Sequence, residues 1–408
     1  MRVIDLFAGA GGLSEGFRQE GFDILAHVEM DKSACNTLRT REAYYYLKEQ
    51  NEIDKYKDYL LGNISREELY NNIPLEILNK VIEKEINNKT IPQIFNELDV
   101  LVGTEEVDLI IGGPPCQAYS TAGISRDPNR MKNDPRNYFY RYYVRFLRKY
   151  QPKMFVFENV RGILSAQEGK VFKNIKRNMS NAGYKVDYRI LNASNFGVSQ
   201  LRERVIIIGW KKDLPFDYPE FYTDIETPVI KTLFKDLPKI QSGQSLNGLN
   251  QYTDENNNEI NGIRPFDWNI LTQHISRPNN EKDLNIYKLV AEAWEKEGKL
   301  LKYNELPDEL KTHKNTDTFL DRYKNVKYNT FSHTIVAHIS KDGHYYIHPD
   351  IEQNRSLTVR EAARIQSFPD DFYFEDSRSA AFKQIGNAVP PLMAKEIAKK
   401  LKSTELVL

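Results

Sequence analysis

The chain has 408 residues, of which 40% are hydrophobic and 28% charged, with 57 basic side chains set against 57 acidic ones. That length suits two domains sharing a cleft, and no apolar run is long enough to cross a bilayer as a helix. The zero balance argues against a generally basic, sticky protein, so a nucleic-acid partner requires locally concentrated positive charge; the only two cysteines, Cys35 and Cys116, have no neighbours at ligand spacing, which argues against a disulfide framework or a zinc site, and no metal is expected.

In chain order, Met1-Arg2-Val3-Ile4-Asp5-Leu6-Phe7 opens directly on an apolar strand, which leaves no room for a leader and predicts a cytoplasmic protein. Strands are predicted over Val3–Phe7, Asp23–Val28, Asp108–Gly112, Met154–Glu158, Tyr184–Asn192 and Arg204–Trp210. Several are near-continuous apolar runs, as strands covered on both faces require. Amphipathic helical stretches alternate with them. The pattern predicts an α/β fold on a doubly wound, mostly parallel sheet, with ligands at the C-terminal strand ends.

Two segments break the alternation. Arg41–Glu106, rich in Lys, Glu, Asn and Tyr, reads as an inserted helical segment. Pro215–Asn354, polar and rich in Asn, Gln and Tyr, reads as the core of a second, smaller domain. The expected division is a catalytic domain over 1–212, completed by 380–408, and a small domain over 213–379. Near the end, Thr358-Val359-Arg360-Glu361 is a capping box opening a helix that Pro369 stops, and Pro390-Pro391 opens a last helix.

Three stretches carry chemistry. The first strand runs into Phe7-Ala8-Gly9-Ala10-Gly11-Gly12-Leu13, a turn whose glycines allow a sharp bend and a close backbone approach to a ligand. The third glycine of a dinucleotide fingerprint would fall on Ser14, which argues against a nicotinamide cofactor. Glu29, twenty residues after Gly9 at the end of the second strand, can accept hydrogen bonds from ribose hydroxyls. The strand Asp108–Gly112 leads into Gly113-Pro114-Pro115-Cys116-Gln117, where two prolines fix the backbone and hold Cys116 at the same sheet edge. A free thiol is only a few per cent thiolate at neutral pH, and an electropositive site raises that fraction.

These stretches together resemble the DNA cytosine-5 methyltransferase family. Asp5–Gly12 is similar to its cofactor motif and Gly113–Ser120 to its Pro-Cys motif. Phe157-Glu158-Asn159-Val160, Gln200-Leu201-Arg202-Glu203-Arg204, Arg355–Phe372 and Gln384-Ile385-Gly386-Asn387-Ala388-Val389-Pro390 then resemble its remaining motifs in order, with Tyr119 standing where Phe is commoner. The resemblance implies methyl transfer from S-adenosylmethionine to carbon 5 of cytosine. It makes Cys116 the nucleophile that adds to carbon 6 and Glu158 the group that hydrogen-bonds N3 and the exocyclic amine, carrying a proton at least transiently in a dry pocket. One of Arg202 and Arg204 would approach the cysteine–cytosine pair and the other hold the cytosine O2. Phe7, Ala8, Gly9, Ala10, Gly11, Gly12 and Leu13 would hold the cofactor, with Glu29 on its ribose, Met30 on its base, and Pro115, Phe139, Asn387 and Val389 as further contacts. The family's Asp-Ile, which meets the adenine amine, has no clear counterpart; Thr90-Ile91 is the candidate offered by the segment where it should fall.

Duplex DNA is the implied partner, and its target base must be flipped out of the stack. The segment Ile124–Lys153 carries Arg126, Arg130, Lys132, Arg136, Arg141, Arg145, Arg148, Lys149 and Lys153 against Asp127 and Asp134 only, and in the family it closes on DNA. Its second half, Tyr140–Tyr150, also fits a solvated helix face. Gln241, Gln244, Arg264 and Arg277 are candidates for reading purine edges. The expected setting is a monomeric bacterial or phage modification enzyme, paired with a restriction endonuclease that acts on the same site without having to bind it. The competing readings are a tRNA methyltransferase of the same family, which the long second domain disfavours, and an inactive DNA-binding relative, which the retained Cys116 and glycine turn disfavour.

Overall fold

The computed structural model describes residues 1–115, 138–221, 225–245, 251–253, 260 and 262–403. Cys116 and the basic residues from Arg126 to Arg136 therefore lie outside the described residues.

Seven strands form one sheet in the order β3-β2-β1-β4-β5-β7-β6: β1 (Arg2–Leu6), β2 (Asp23–Glu29), β3 (Val81–Glu83), β4 (Leu109–Gly112), β5 (Met154–Asn159), β6 (Tyr184–Asn192) and β7 (Glu203–Lys211). β1 to β5 pair in parallel, and β7 runs antiparallel between β5 and β6. Alternation along each strand divides its side chains between two covered faces. Ile4, Leu6, Ile110, Phe155, Phe157, Val205 and Ile207 face the helices Ile91–Val102, Phe139–Tyr150 and Lys170–Asn181. Val3, Leu109, Ile111, Met154, Val156, Ile206 and Ile208 face the helices Gly12–Gln19 and Pro391–Ser403. Those two helices press together at Gly16, where an added methyl would lie 2.5 Å from the Ala394 side chain.

The expected insertion at 41–106 is only partly one. The helices Ile53–Leu60, Arg66–Asn71 and Leu75–Leu78 are additions, but β3 and the helix Ile91–Val102 are an integral crossover unit of the sheet. Three edge residues between Lys80 and Lys84 are too short to leave a period-2 signal, so the strand was hidden.

The second region has one long helix, Glu281–Glu297, the shorter helices Ile230–Leu233 and Val359–Ile365, and otherwise 3-10 turns and isolated bridges among the described residues. Its core joins Ile230, Leu233, Leu271, Ile335, Leu357, Ala362 and Phe368, and it also takes in Phe382, Ile385 and Ala388. Val389, the next residue, belongs to the core under the sheet. The chain thus returns to the sheet at the peptide after Ala388, not at 380 as expected, because Phe382 and Ile385 of the helix Arg378–Asn387 are buried in the second core.

Candidate active site

β1 ends in the turn Phe7–Gly11, and the helix Gly12–Gln19 starts at once. Phe7, Gly9 and Gly11 all have positive φ, at 55°, 55° and 79°. The glycines divide by what surrounds them. A methyl on Gly11 would lie 2.7 Å from the Leu38 side chain, and one on Gly12 would overlap the Val389 carbonyl oxygen. A methyl on Gly9 would meet nothing within 4 Å. Gly11 and Gly12 are therefore small for packing, while Gly9 faces open space beside the sheet edge. Gly12→Ala should cost about 1–3 kcal/mol through overpacking, read as a lowered Tm. Gly9→Ala should change Tm less and weaken cofactor binding more, measurable by calorimetric titration with S-adenosylhomocysteine.

Glu29 ends β2 beside this turn. Its Oε2 accepts from the Gly9 N–H at 2.8 Å, and its Oε1 from the Met30 and Asp31 N–H groups, both at 2.8 Å. A carboxylate has about four lone-pair positions, so Oε2 retains one for a ligand hydroxyl. Burial raises the Glu29 carboxyl above the ordinary carboxylate range, outweighing the three N–H donors that favour its charged form. Met30 beside it is 61% exposed, a large apolar side chain left to pack on something else. Phe7 and Phe139 stand 6.0 Å apart across the turn, with their rings tilted. Asn387, at the end of its helix, is exposed.

β4 lies between β1 and β5, with Gly112 in register with Leu6 on one side and Phe157 on the other. A side chain on Gly112 would run into the Leu6 backbone, and a methyl on Gly113 would lie 2.5 Å from Glu158 Oε2. The chain can leave the sheet here only as two glycines, passing between the cofactor turn and Glu158. Asn159, buried, donates from Nδ2 to the Pro114 carbonyl at 3.2 Å and so ties the following loop to β5. Pro115 is the last described residue before Cys116. The other thiol, Cys35, is fully buried, and burial pushes it up to about 12, so it is inert at neutral pH.

Glu158 points from the end of β5 toward β7, where Arg204 Nε meets its Oε1 at 2.8 Å. Both side chains are only slightly exposed, at 13% and 11%. A glycine turn, an open space, a carboxylate–guanidinium pair and a Pro-Pro exit thus share the C-terminal edge of four adjoining strands. The sequence that builds this arrangement is matched by the family model described as C-5 cytosine-specific DNA methylase, over residues 1–69 and 67–403.

The chain belongs to that family.

Among its relatives, the type II methyltransferase M.Bpa9945I of Bacillus paralicheniformis is 43% identical, covering 98% of both chains. M1.HphI of Haemophilus parahaemolyticus is 30% identical over 98% of this chain and 86% of its own. A putative DNA modification methyltransferase from an E. coli prophage superimposes with a TM-score of 0.62 at 25% identity, covering 99% of each chain. Family and neighbours are S-adenosylmethionine-dependent enzymes.

Two expectations for this methylase need revision. Arg202 is not beside Glu158. It is 1% exposed, and its guanidinium donates to the carbonyls of Ile335 (2.7 Å), Gly386 (3.2 Å) and Ala388 (2.8 Å). It is a strut fastening the second region to the closing motif, joined by Gln200, which accepts from Ile335 N–H at 2.8 Å and bonds Gln366. Of the purine-reading candidates, Arg264 pairs with buried Asp236, and Arg277 is buried with its guanidinium on the Lys341 and Ile339 carbonyls. Both are structural, whereas Gln241 and Gln244 are exposed.

Thr90 stands at the N-terminus of the crossover helix without a side-chain capping bond and is held by Asn87 and the Glu85 carbonyl. Glu85-Ile86 lies one residue beyond β3, after Lys84, whose N–H donates to the Glu29 carbonyl at 2.8 Å. An acidic residue followed by isoleucine just after a strand is the signal that placing β3 would have revealed. Arg141 and Arg145 project from the helix Phe139–Tyr150, and Lys149 pairs with Asp99. No helix among the described residues is long and apolar enough to cross a membrane.

Proposed function

We propose that this methylase uses S-adenosylmethionine to methylate carbon 5 of a cytosine extruded from a specific duplex DNA sequence, as the modification half of a restriction-modification system. The single observation that carries the reading is the shared edge on which the open face of Gly9 and the Glu158–Arg204 pair flank the exit toward Cys116. The residues fit the cofactor. Gly9 leaves room, Glu29 has an acceptor position for the ribose, and Met30 and Phe7 offer apolar faces for the base. Glu85-Ile86 takes the place of Thr90-Ile91 as the contact for the adenine amine.

Bound S-adenosylmethionine supplies an electrophilic methyl on a sulfonium. Cys116, as thiolate, adds to carbon 6 of the ring and makes carbon 5 nucleophilic. Glu158 holds N3 and the exocyclic amine; in its protonated form it gives N3 a proton as the thiolate adds, and it takes that proton back when the thiolate is expelled. Arg204 fixes the Glu158 carboxylate through Nε and has further N–H donors for the cytosine O2. After carbon 5 takes the methyl, its proton leaves and the thiolate is expelled, which restores the aromatic ring. Water or a side chain serves as the base.

Bisulfite sequencing of DNA from cells expressing the protein should show one methylated sequence context, and purified enzyme should methylate duplex DNA but not tRNA. Methyl transfer to tRNA alone would overturn the reading. Glu29 adds a pH signature. It accepts hydroxyls only when ionised, and its raised pKa means that charge is lost at a higher pH than for an ordinary glutamate. S-adenosylhomocysteine affinity should therefore weaken on acidification before the normal Glu range is reached, and Glu29→Gln should abolish that dependence.

A further inference from the structure

A second ion pair crosses the same gap as Glu158 and Arg204, in the opposite sense. Arg161, three residues beyond Glu158, reaches from the β5 side to Glu203 at the start of β7, with N to O at 2.9 Å. Unlike the inner pair, this one is open to solvent: the Arg161 side chain is 66% exposed and Glu203 48%. An exposed pair of this kind contributes little to folding. Among the described residues its guanidinium pairs with Glu203 alone, so it can be released there without breaking any buried contact. Its site is nevertheless well fixed. Asn159 is anchored to Pro114, and Arg161–Leu164 forms a short 3-10 turn whose Ile163 is fully buried.

Resting on the methyltransferase reading above, we propose that Arg161 is a positioning residue that grips the backbone phosphate next to the extruded cytidine, and that Glu203 is an internal stand-in for that phosphate. A nucleotide whose base edge lies on Glu158 carries its phosphate outward toward solvent, where Arg161 sits. Guanidinium binds carboxylate and phosphate with the same paired N–H geometry, so exchanging one for the other needs little rearrangement. In the free enzyme Glu203 keeps the guanidinium near the place it must occupy. In the complex Glu203 is left facing solvent, which it can do because it is half exposed. The contact carries no sequence information; it sets register and holds the flipped nucleotide against the inner pair.

The test uses full-length enzyme and a short duplex centred on a cytosine that the wild type methylates. Affinity is measured by anisotropy across a salt series, alongside methyl transfer. Arg161→Ala should lower the slope of log K against log salt by about 0.9, the value for one phosphate contact. It should raise the KM for DNA about tenfold or more at low salt, with Tm and S-adenosylhomocysteine affinity unchanged. Glu203→Gln should tighten DNA binding. Replacing single phosphates beside the target cytosine by neutral methylphosphonates should weaken the wild type at one position, and Arg161→Ala should show no further loss there. An unchanged salt slope, or losses that simply add at every position, would overturn the proposal. Methyl transfer by the wild type in the same samples separates that failure from failure of the methyltransferase reading.

Discussion

Cys116→Ala should abolish methyl transfer while leaving DNA and cofactor binding intact. Without thiolate addition at carbon 6, carbon 5 has no means of attacking the methyl donor. Losses on the order of 10⁴-fold or more accompany removal of a covalent nucleophile. No rescue from the other thiol is possible: Cys35 is fully buried on the inner face of the helix Lys32–Glu49, and its Sγ donates to the Glu29 carbonyl. Two readouts complete the result. Labelled methyl incorporation should fall to background, and the covalent complex that wild type forms with 5-fluorocytosine DNA should disappear. Anisotropy with duplex DNA should be unchanged. A fully active variant would falsify the mechanism.

The second large effect is a split between two arginines only two positions apart. Arg202→Ala removes charged donors from three buried carbonyls at the junction of two cores. The Ala388 carbonyl keeps a donor in Gln366 Nε2 at 3.2 Å, but the other two lose theirs; each buried acceptor left unsatisfied costs about 1–3 kcal/mol, so the total is roughly 2–6 kcal/mol, enough to unfold much of a typical domain at physiological temperature. Arg204→Ala removes a group that touches Glu158 and has little else to hold. Its kcat should fall by about 10²–10³, as for loss of a preorganised donor, with a much smaller change in Tm. Thermal denaturation and single-turnover kinetics on both variants distinguish the roles. A stable, inactive Arg202→Ala would move that residue back into the chemistry.

The contrast also shows what the sequence could and could not convey. Gln-x-Arg-x-Arg marks both arginines alike, because alternation on an extended segment puts both side chains on the same side. What separates them is the carbonyls of Ile335, Gly386 and Ala388, brought in from over a hundred residues away. The same holds for Arg264 and Arg277, whose burial depends on tertiary partners. The positions of the glycine turn, Glu29, Glu158 and the Pro-Pro exit were legible because each stands at the end of a strand with an unmistakable apolar run. β3 was not, since three edge residues carry no periodicity, and with it went Glu85-Ile86. The fold boundary after Ala388 was likewise hidden, as the helix Arg378–Asn387 looks the same whichever core it joins.

That boundary carries one more consequence. The peptide joining Ala388 to Val389 passes from one hydrophobic body to the other, and the Val389 carbonyl rests where a Gly12 side chain would be. The floor of the cofactor turn is thus laid partly by the strand of chain that joins the two bodies. Any rocking between them when a duplex enters must be felt at the methyl donor's seat, and thermodynamic reciprocity requires donor occupancy to bias the rocking by the same free energy. Loading order of the two substrates would then reflect the construction of a single seam.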